Sequence, residues 1–241
     1  MLDLILAINI NSTLLPQCKQ PTYQVKPDVV GTAASPDTGE TFYIEEYYYD
    51  YCAGNDLVLY KETDNELLTW KIISESEIRT APRIEQFDPR HGEHIKTNLE
   101  NGNLVLQYKK NDKAQLKETE LTPSIDQVID AGFDQYVRDN WINLVNFESQ
   151  EFDYASPPLQ SNINLRIKRM DEDQCNSIAV DSGQHFCFVA EANNFLFRIF
   201  STPIKLVYGP DKRLKKFHGV TNILDNNGNN YLAEITYRYL D

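Results

Sequence analysis

Positive charge is scarce in this 241-residue chain. Lys and Arg total 23 against 36 Asp and Glu, a formal net charge of -13. That balance disfavours general nucleic-acid binding, which needs a basic face to neutralise phosphates. It also disfavours docking on anionic lipid by charge alone. Long apolar runs are missing too: none approaches the ~20 residues a membrane helix needs, so no transmembrane span is expected. Gly is 10 and Pro is 11, which excludes collagen-like and low-complexity chains. Local catalytic signatures are absent. There is no G-x-S-x-G, no P-loop, no G-x-G-x-x-G, and no Ser-His-Asp or Cys-His pair of defensible spacing. Catalytic groups can converge from distant strands, so this lowers the expectation of an enzyme without removing it. No catalytic residue, metal or cofactor is expected.

What is present is an ordinary globular composition, 41% hydrophobic and 24% charged. Most of the chain alternates with period two between turn signals. Phe42 to Tyr51 and Asp56 to Glu62 read as strands split by Ala53-Gly54-Asn55. Leu67 to Ser74 and Asn103 to Lys109 follow. Later come Glu151 to Tyr154, Asn162 to Lys168, Ser177 to Val180, His185 to Glu191, Ile204 to Tyr208, Leu214 to Asn222 and Tyr231 to Tyr239. The 14 Tyr and 11 Phe suit half-buried pleated surfaces. Many short strands at this spacing predict a mainly β fold, an antiparallel curved sheet forming an open or half barrel.

One segment breaks the pattern. Ile125, Val128, Ile129, Phe133, Val137, Trp141, Leu144 and Val145 recur at helical spacing. Gly132 divides them into a lead-in turn and a main helix over about 133–146. A second short helix is expected from Asn193-Asn194 through Phe200, stopped by Pro203. An amphipathic helix must bury its stripe, and the concave side of the sheet is the nearest place. The expectation is one β-rich domain over 29–241 with the main helix packed in or across the barrel.

The four cysteines, Cys18, Cys52, Cys175 and Cys187, form no C-x-x-C. Their even count permits two disulfides. Cys175 and Cys187 flank the turn Asp181-Ser182-Gly183, and a hairpin there would bring them together. The alternative is a pair of buried thiols. Residues 1–28 read as a tail: Leu4 to Ile8 is apolar but too short for a full export segment, and no Lys or Arg precedes it.

Three motifs carry a resemblance. Gly31-Thr32-Ala33, Asp37-Thr38-Gly39-Glu40 and Phe42-Tyr43-Ile44-Glu45-Glu46 stand first. Ala131-Gly132-Phe133-Asp134-Gln135-Tyr136-Val137-Arg138 runs on to Trp141 and Leu144. Arg213-Leu214, Phe217-His218-Gly219-Val220-Thr221-Asn222-Ile223 and Asp225 stand last. In this order, from about residue 30 to the end, they resemble a family of uncharacterised bacterial exported proteins. The resemblance implies a periplasmic or secreted β-rich protein, similar in outline to lipoprotein-carrier half-barrels. Family members often carry His after the Glu-Glu pair, where this chain has Tyr47. The resemblance also implies that residues 1–28 are remnant signal plus linker.

Several clusters could carry chemistry. His91 and His94 with Asp88 and Glu93 offer metal ligands, but Pro89 and Gly92 make the segment a turn without fixed geometry. Val180-Asp181-Ser182-Gly183 copies half of an aspartic-protease signature and lacks its second copy. Alternation places Glu45 and Glu46 on opposite strand faces; Glu46 is taken as the inward one, able to hold a polar head or act as an acid if desolvated. Asp134, Arg138 and Trp141 sit at i, i+4 and i+7, a clamp for a headgroup at the barrel mouth or simply an ion pair beside a core Trp. Asn222 ends a strand beside Gly219 and could line a pocket.

These residues point first to a cell-envelope binding protein holding an apolar or lipid-like molecule between sheet and helix. Glu46, Phe133, Arg138, Trp141, Phe195, Phe197 and Asn222 would form the site. The alternative is a structural or interaction protein with a filled core; a carboxylate enzyme is the third reading.

Overall fold

The computed structural model describes residues 26–52, 54–179, 183–193 and 202–240. Its strands are β1 (Val29–Ala34), β2 (Thr41–Cys52), β3 (Asn55–Lys61), β4 (Leu67–Ser74), β5 (Arg83–Asp88), β6 (Glu93–Glu100), β7 (Asn103–Lys109) and β8 (Lys117–Leu121). After β9 (Gln127–Val128) come helices α1 (Gly132–Asp139) and α2 (Trp141–Val145). Then follow β10 (Gln150–Ser156), β11 (Ser161–Arg169), α3 (Glu172–Asn176), β12 (Phe186–Ala192), β13 (Ile204–Tyr208), β14 (Leu214–Leu224) and β15 (Asn230–Tyr239).

The strands form one sheet in the order β8-β7-β6-β5-β4-β3-β2-β1-β15-β14-β13-β12-β11-β10-β9. Every pairing is antiparallel except β9 with β10. Chain neighbours pair within each run, β1 to β8 and β9 to β15, and β1 against β15 joins the two runs (Val29↔Tyr239, Ala33↔Ile235). The sheet does not close by hydrogen bonds, because its edges β8 and β9 are unpaired to each other. They are nonetheless close in the chain. Five residues separate Leu121 from Gln127, a reach of at most ~20 Å. Side chains fill the seam: Leu104 and Leu106 of β7 and Leu121 of β8 pack with Ala155 of β10 and Ile129. The sheet is an open barrel with an apolar seam.

The expected mainly β, curved and open architecture is what the chain adopts, with two refinements. The main helix is two helices. Asn140 ends α1 and begins α2, with φ -95° and ψ 14°, outside the helical range. Together they lay Tyr136, Val137, Trp141 and Leu144 on Phe152, Ile167, Phe188, Leu206 and Tyr208 of the second half of the sheet. The helix therefore lies in the barrel. Its lead-in is fixed by residues 75–82: Thr80 accepts from Ile129 N–H at 2.9 Å and donates its hydroxyl to Gln127 O at 2.6 Å. Gly132 is obligatory there, since a Cβ would stand 1.9 Å from Thr80 O.

Of the strand expected over Ser177 to Val180, the described residues 177–179 are not strand. Cys175 sits in α3, Ser177 and Ile178 form a turn, and the disulfide to Cys187 (Cα–Cα 5.3 Å) ties this short helix to the start of β12. Asp171 stops the alternation by capping α3, its carboxylate accepting from Gln174 N–H at 2.8 Å. Ile125 is exposed rather than part of a helical stripe, and Gln127 and Val128 are strand. Residues 194–200 of the second helix expected at 193–200, with Phe195 and Phe197, as well as Val180-Asp181-Ser182, Cys18 and the side chain of Cys52, lie outside the described residues.

Candidate functional site

Among the described residues, two places in the barrel gather polar side chains, and Asp134, Arg138 and Asn222 of the sequence-predicted residues divide between them.

The first is a cleft of about 420 Å³ at one end, lined by Asp28, Tyr49, Asp134, Arg138, Lys212, Arg213, Tyr239 and Leu240. Strand ends supply half of it: Asp28 precedes β1, Tyr49 lies late in β2, Tyr239 ends β15 and Leu240 follows it. The remaining residues come from α1 and from the β13–β14 turn. Asp134 and Arg138 form the expected i,i+4 ion pair. Asp134 also accepts from the Tyr208 hydroxyl at 2.9 Å, which anchors the pair to β13. Asp28 accepts from Tyr49 N–H at 2.8 Å. Lys212 places its ammonium 5.6 Å over the Trp141 ring, and Arg213 its guanidinium 4.8 Å over Tyr239. Burial and the neighbouring carboxylates raise the Tyr49 phenol; burial is also what raises Tyr239. Both therefore keep their protons as hydrogen-bond donors.

Trp141 does not line this cleft. It is buried edge-on against Phe186, Phe188 and Tyr208, with centroids at 5.2–5.7 Å. Phe133 is half-buried and packs against the same core, 5.3 Å from Phe152. Both fill the concave face, so the apolar space they were expected to line is occupied by the helices.

The second place is the barrel interior beneath the α1 lead-in. Lys71 of β4 donates to Asp130 Oδ1 at 2.7 Å. Asn222 donates to Asp130 Oδ2 and, at 3.3 Å, to Gln86 Oε1, while Gln86 returns a bond to Asn222 O at 3.1 Å. Asn222 reaches inward because the β14–β15 register slips between Val220 and Leu224, a bulge that re-aims its side chain. The glutamate on this side is Glu45. It is 3% exposed and accepts from Tyr47 Oη at 2.7 Å. Burial raises its carboxyl, and burial likewise raises Tyr43, Tyr47, Tyr60 and Tyr237 around it.

Glu46 faces the other way, a correction to the choice made from the sequence. It pairs with Lys61 and accepts from Tyr48 Oη at 2.7 Å, beside Tyr48, Leu57, Leu59 and Trp70 on the outer face. Alternation gives two faces but not which one is concave. The tyrosines decide it here: Tyr43 joins the interior cluster and Tyr48 the outer one.

The structure thus brings Asp134 and Arg138 together at the cleft, sends Asn222 to the interior network and Glu46 outside. Sequence reasoning missed Asp28, Tyr49, Lys212 and Tyr239 at the cleft, and Lys71 and Asp130 inside. Gly209-Pro210-Asp211-Lys212-Arg213 was the available signal, a basic turn in an acidic chain. The two histidines of H-x-x-H part company. His91 reaches Asp225 O at 2.9 Å, and His94 reaches Glu85 Oε1 at 3.0 Å.

No protein-family profile and no curated protein sequence matches this chain. Its fold is similar to a β-barrel-like protein of a domain of unknown function, DUF1849, from Brucella abortus. That likeness has 8% identity, covers 90% of this chain and 98% of the other, and has a TM-score of 0.49.

Proposed function

We propose that this is a non-catalytic binding protein of the cell envelope that takes the polar head of an amphipathic, lipid-like ligand at the barrel mouth. The observation that carries this reading is the cleft itself. Its wall combines two tyrosines, Arg138, Lys212 and Arg213 at one end of a rigid barrel. Such a constellation holds a head by hydrogen bonds and charge while the packed strands fix its geometry. The tail of the ligand would lie outside the filled concave face, because Val137 and Leu144 are fully buried there. Exported location is supported by the Cys175–Cys187 disulfide, which persists in oxidising compartments. Binding rather than catalysis is supported by where the desolvated carboxylate sits: Glu45 belongs to the tyrosine-lined interior and not to the cleft wall.

Native mass spectrometry of the full chain, purified without denaturation from its own cell envelope, tests the reading. The expected result is a one-to-one adduct that organic solvent extracts. A bare mass, unchanged after incubation with a lipid extract, overturns it. The filled core favours a second reading, a structural or interaction protein, and that outcome would select it.

A further inference from the structure

We propose that the end of the barrel opposite the mouth is a pH-sensitive clasp, in which Glu93 governs how firmly Arg90 of the β5–β6 turn holds the β14–β15 turn. Asp88 and Glu93 stand directly opposite each other where β5 ends and β6 begins. They are 1% and 6% exposed, so two carboxyl groups share one dry site. They are not equally supplied. Asp88 accepts from Arg90 Nη2 at 2.7 Å and from the Arg90 amide at 2.8 Å. Among the described residues, the partner of Glu93 is the Tyr108 hydroxyl, which donates at 3.1 Å.

The guanidinium that serves this pair also serves the second hairpin. Arg90 Nη2 donates to Leu224 O at 2.8 Å, and Nη1 donates to Asn226 Oδ1 at 3.2 Å. His91 Nε2 reaches Asp225 O at 2.9 Å beside them. Two residues further along the same strands, Gln86 and Asn222 bond to each other, so the clasp continues into the interior network. With Glu93 protonated, Asp88 holds Arg90 against the β14–β15 turn. With Glu93 ionised, two like charges face each other across one buried rung and compete for one guanidinium. The bonds from Arg90 to Leu224 and Asn226 then loosen.

The groups around Glu93 set where this happens. Asp88 comes from β5, Arg90 and His91 from the turn, and Tyr108 from β7. Lys117 of β8 is exposed next to Tyr108, and Asp112 and Asp225 meet His91 through backbone atoms. Burial pushes the Glu93 carboxyl up to about 7; Asp88 adds to the rise, while the Tyr108 hydrogen bond and His91 oppose it. The folded value lies above the unfolded one, so the closed clasp holds the proton more tightly. It is therefore firm at acid pH and loosens as pH rises through about 7.

Hydrogen exchange read by mass spectrometry on the full chain tests the clasp. Wild type is compared with Glu93→Gln, an uncharged side chain of the same shape, at pH 5.5 and at pH 8. Comparison at equal pH cancels the chemical rate of exchange. The peptides followed cover the two hairpins, 88–93 and 222–229, and the mouth, 204–215. Between the two pH values the ratio of wild-type to variant exchange should rise about tenfold or more in both hairpins and less than about twofold at the mouth. Tyr108→Phe removes the hydrogen bond that favours ionised Glu93, so its hairpins should loosen at a higher pH than those of wild type. A hairpin ratio that does not change with pH overturns the proposal. So does an equal rise at the mouth, which would mean that the whole barrel opens and not the clasp. A Tyr108→Phe transition at the wild-type pH or below it overturns it as well.

Discussion

The two ends of the barrel are built to different purposes. Strand β14 runs between them, eleven residues from Leu214 to Leu224 and roughly 35 Å long. At its start the mouth is a cleft whose cations rest on rings. At its far end two hairpins lock together. Arg90, in the β5–β6 turn, pairs with the fully buried Asp88 at 2.7 Å and donates to Leu224 O at 2.8 Å and to Asn226 Oδ1 at 3.2 Å. His91 reaches Asp225 O beside it. Charges at the far end are thus consumed in joining strands distant in sequence, whereas at the mouth they border a cleft. The charged groups are paired at both ends; at the far end the Arg90–Asp88 pair is largely buried, whereas at the mouth Arg138–Asp134 and Arg213–Asp211 are more exposed.

This contrast can be broken from its core outward. Trp141→Ala removes the anchor that holds α2 on β12 and β13 and should cost about 3–5 kcal/mol in urea unfolding. A loss below 1 kcal/mol would mean the helices do not hold the barrel. Arg90→Ala leaves Asp88 buried without its partner, an expected loss of about 3 kcal/mol that Asp88→Asn in the same background should partly restore. Reducing Cys175–Cys187, which closes a separation of 12 residues, should cost about 2–4 kcal/mol. Matching unfolding midpoints with and without reductant would refute that.

The far end also carries a titration. Burial pushes the Glu93 carboxyl up to about 7, with Asp88 adding to the rise against a hydrogen bond from Tyr108. Its folded value lies above its unfolded value, so the folded state holds the extra proton between the two. Glu93 therefore contributes stability that is full below about pH 4.5 and is lost as pH rises through about 7. Glu93→Gln should raise the melting midpoint at pH 8 by about 2–4 °C relative to wild type and narrow the gap at pH 4.5. The smallest expected effect is at the mouth: Lys212→Gln, which gives up a cation contact with the Trp141 ring, should cost less than about 1 kcal/mol. A large loss there would make the two ends alike.

Much of the sheet was readable from residues. Leu67–Ser74, Asn103–Lys109 and Ile204–Tyr208 were placed with their observed bounds, because each alternates strongly and abuts a turn. β5 and β6 were passed over. Arg83, Glu85, Gln86, Lys96, Thr97 and Asn98 look like loop residues, and they become strand because the interior there is polar and takes Gln86 and Thr97. β1 was missed as well, since Val29–Ala34 is short and small. It forms because it is the bridge between β2 and β15. At the site, Asp134 and Arg138 were legible as a helical pair. Tyr49, Lys212 and Tyr239 were not, because they meet only when the ends of β2, β15 and a turn converge.

Local chemistry in the chain settled the periodicities: two for the strands, 3.6 for the helix, with Gly132 required where α1 begins. It also settled the excess of acid and the absence of a long apolar span. Tertiary structure alone chose which glutamate of the Glu45-Glu46 pair faces inward, split one helix into two at Asn140, and turned the Cys175 segment into helix rather than hairpin. The physical reason is one of range. Alternation and capping act over a few residues and are written in the chain, whereas burial is decided by what arrives from the other side of the barrel.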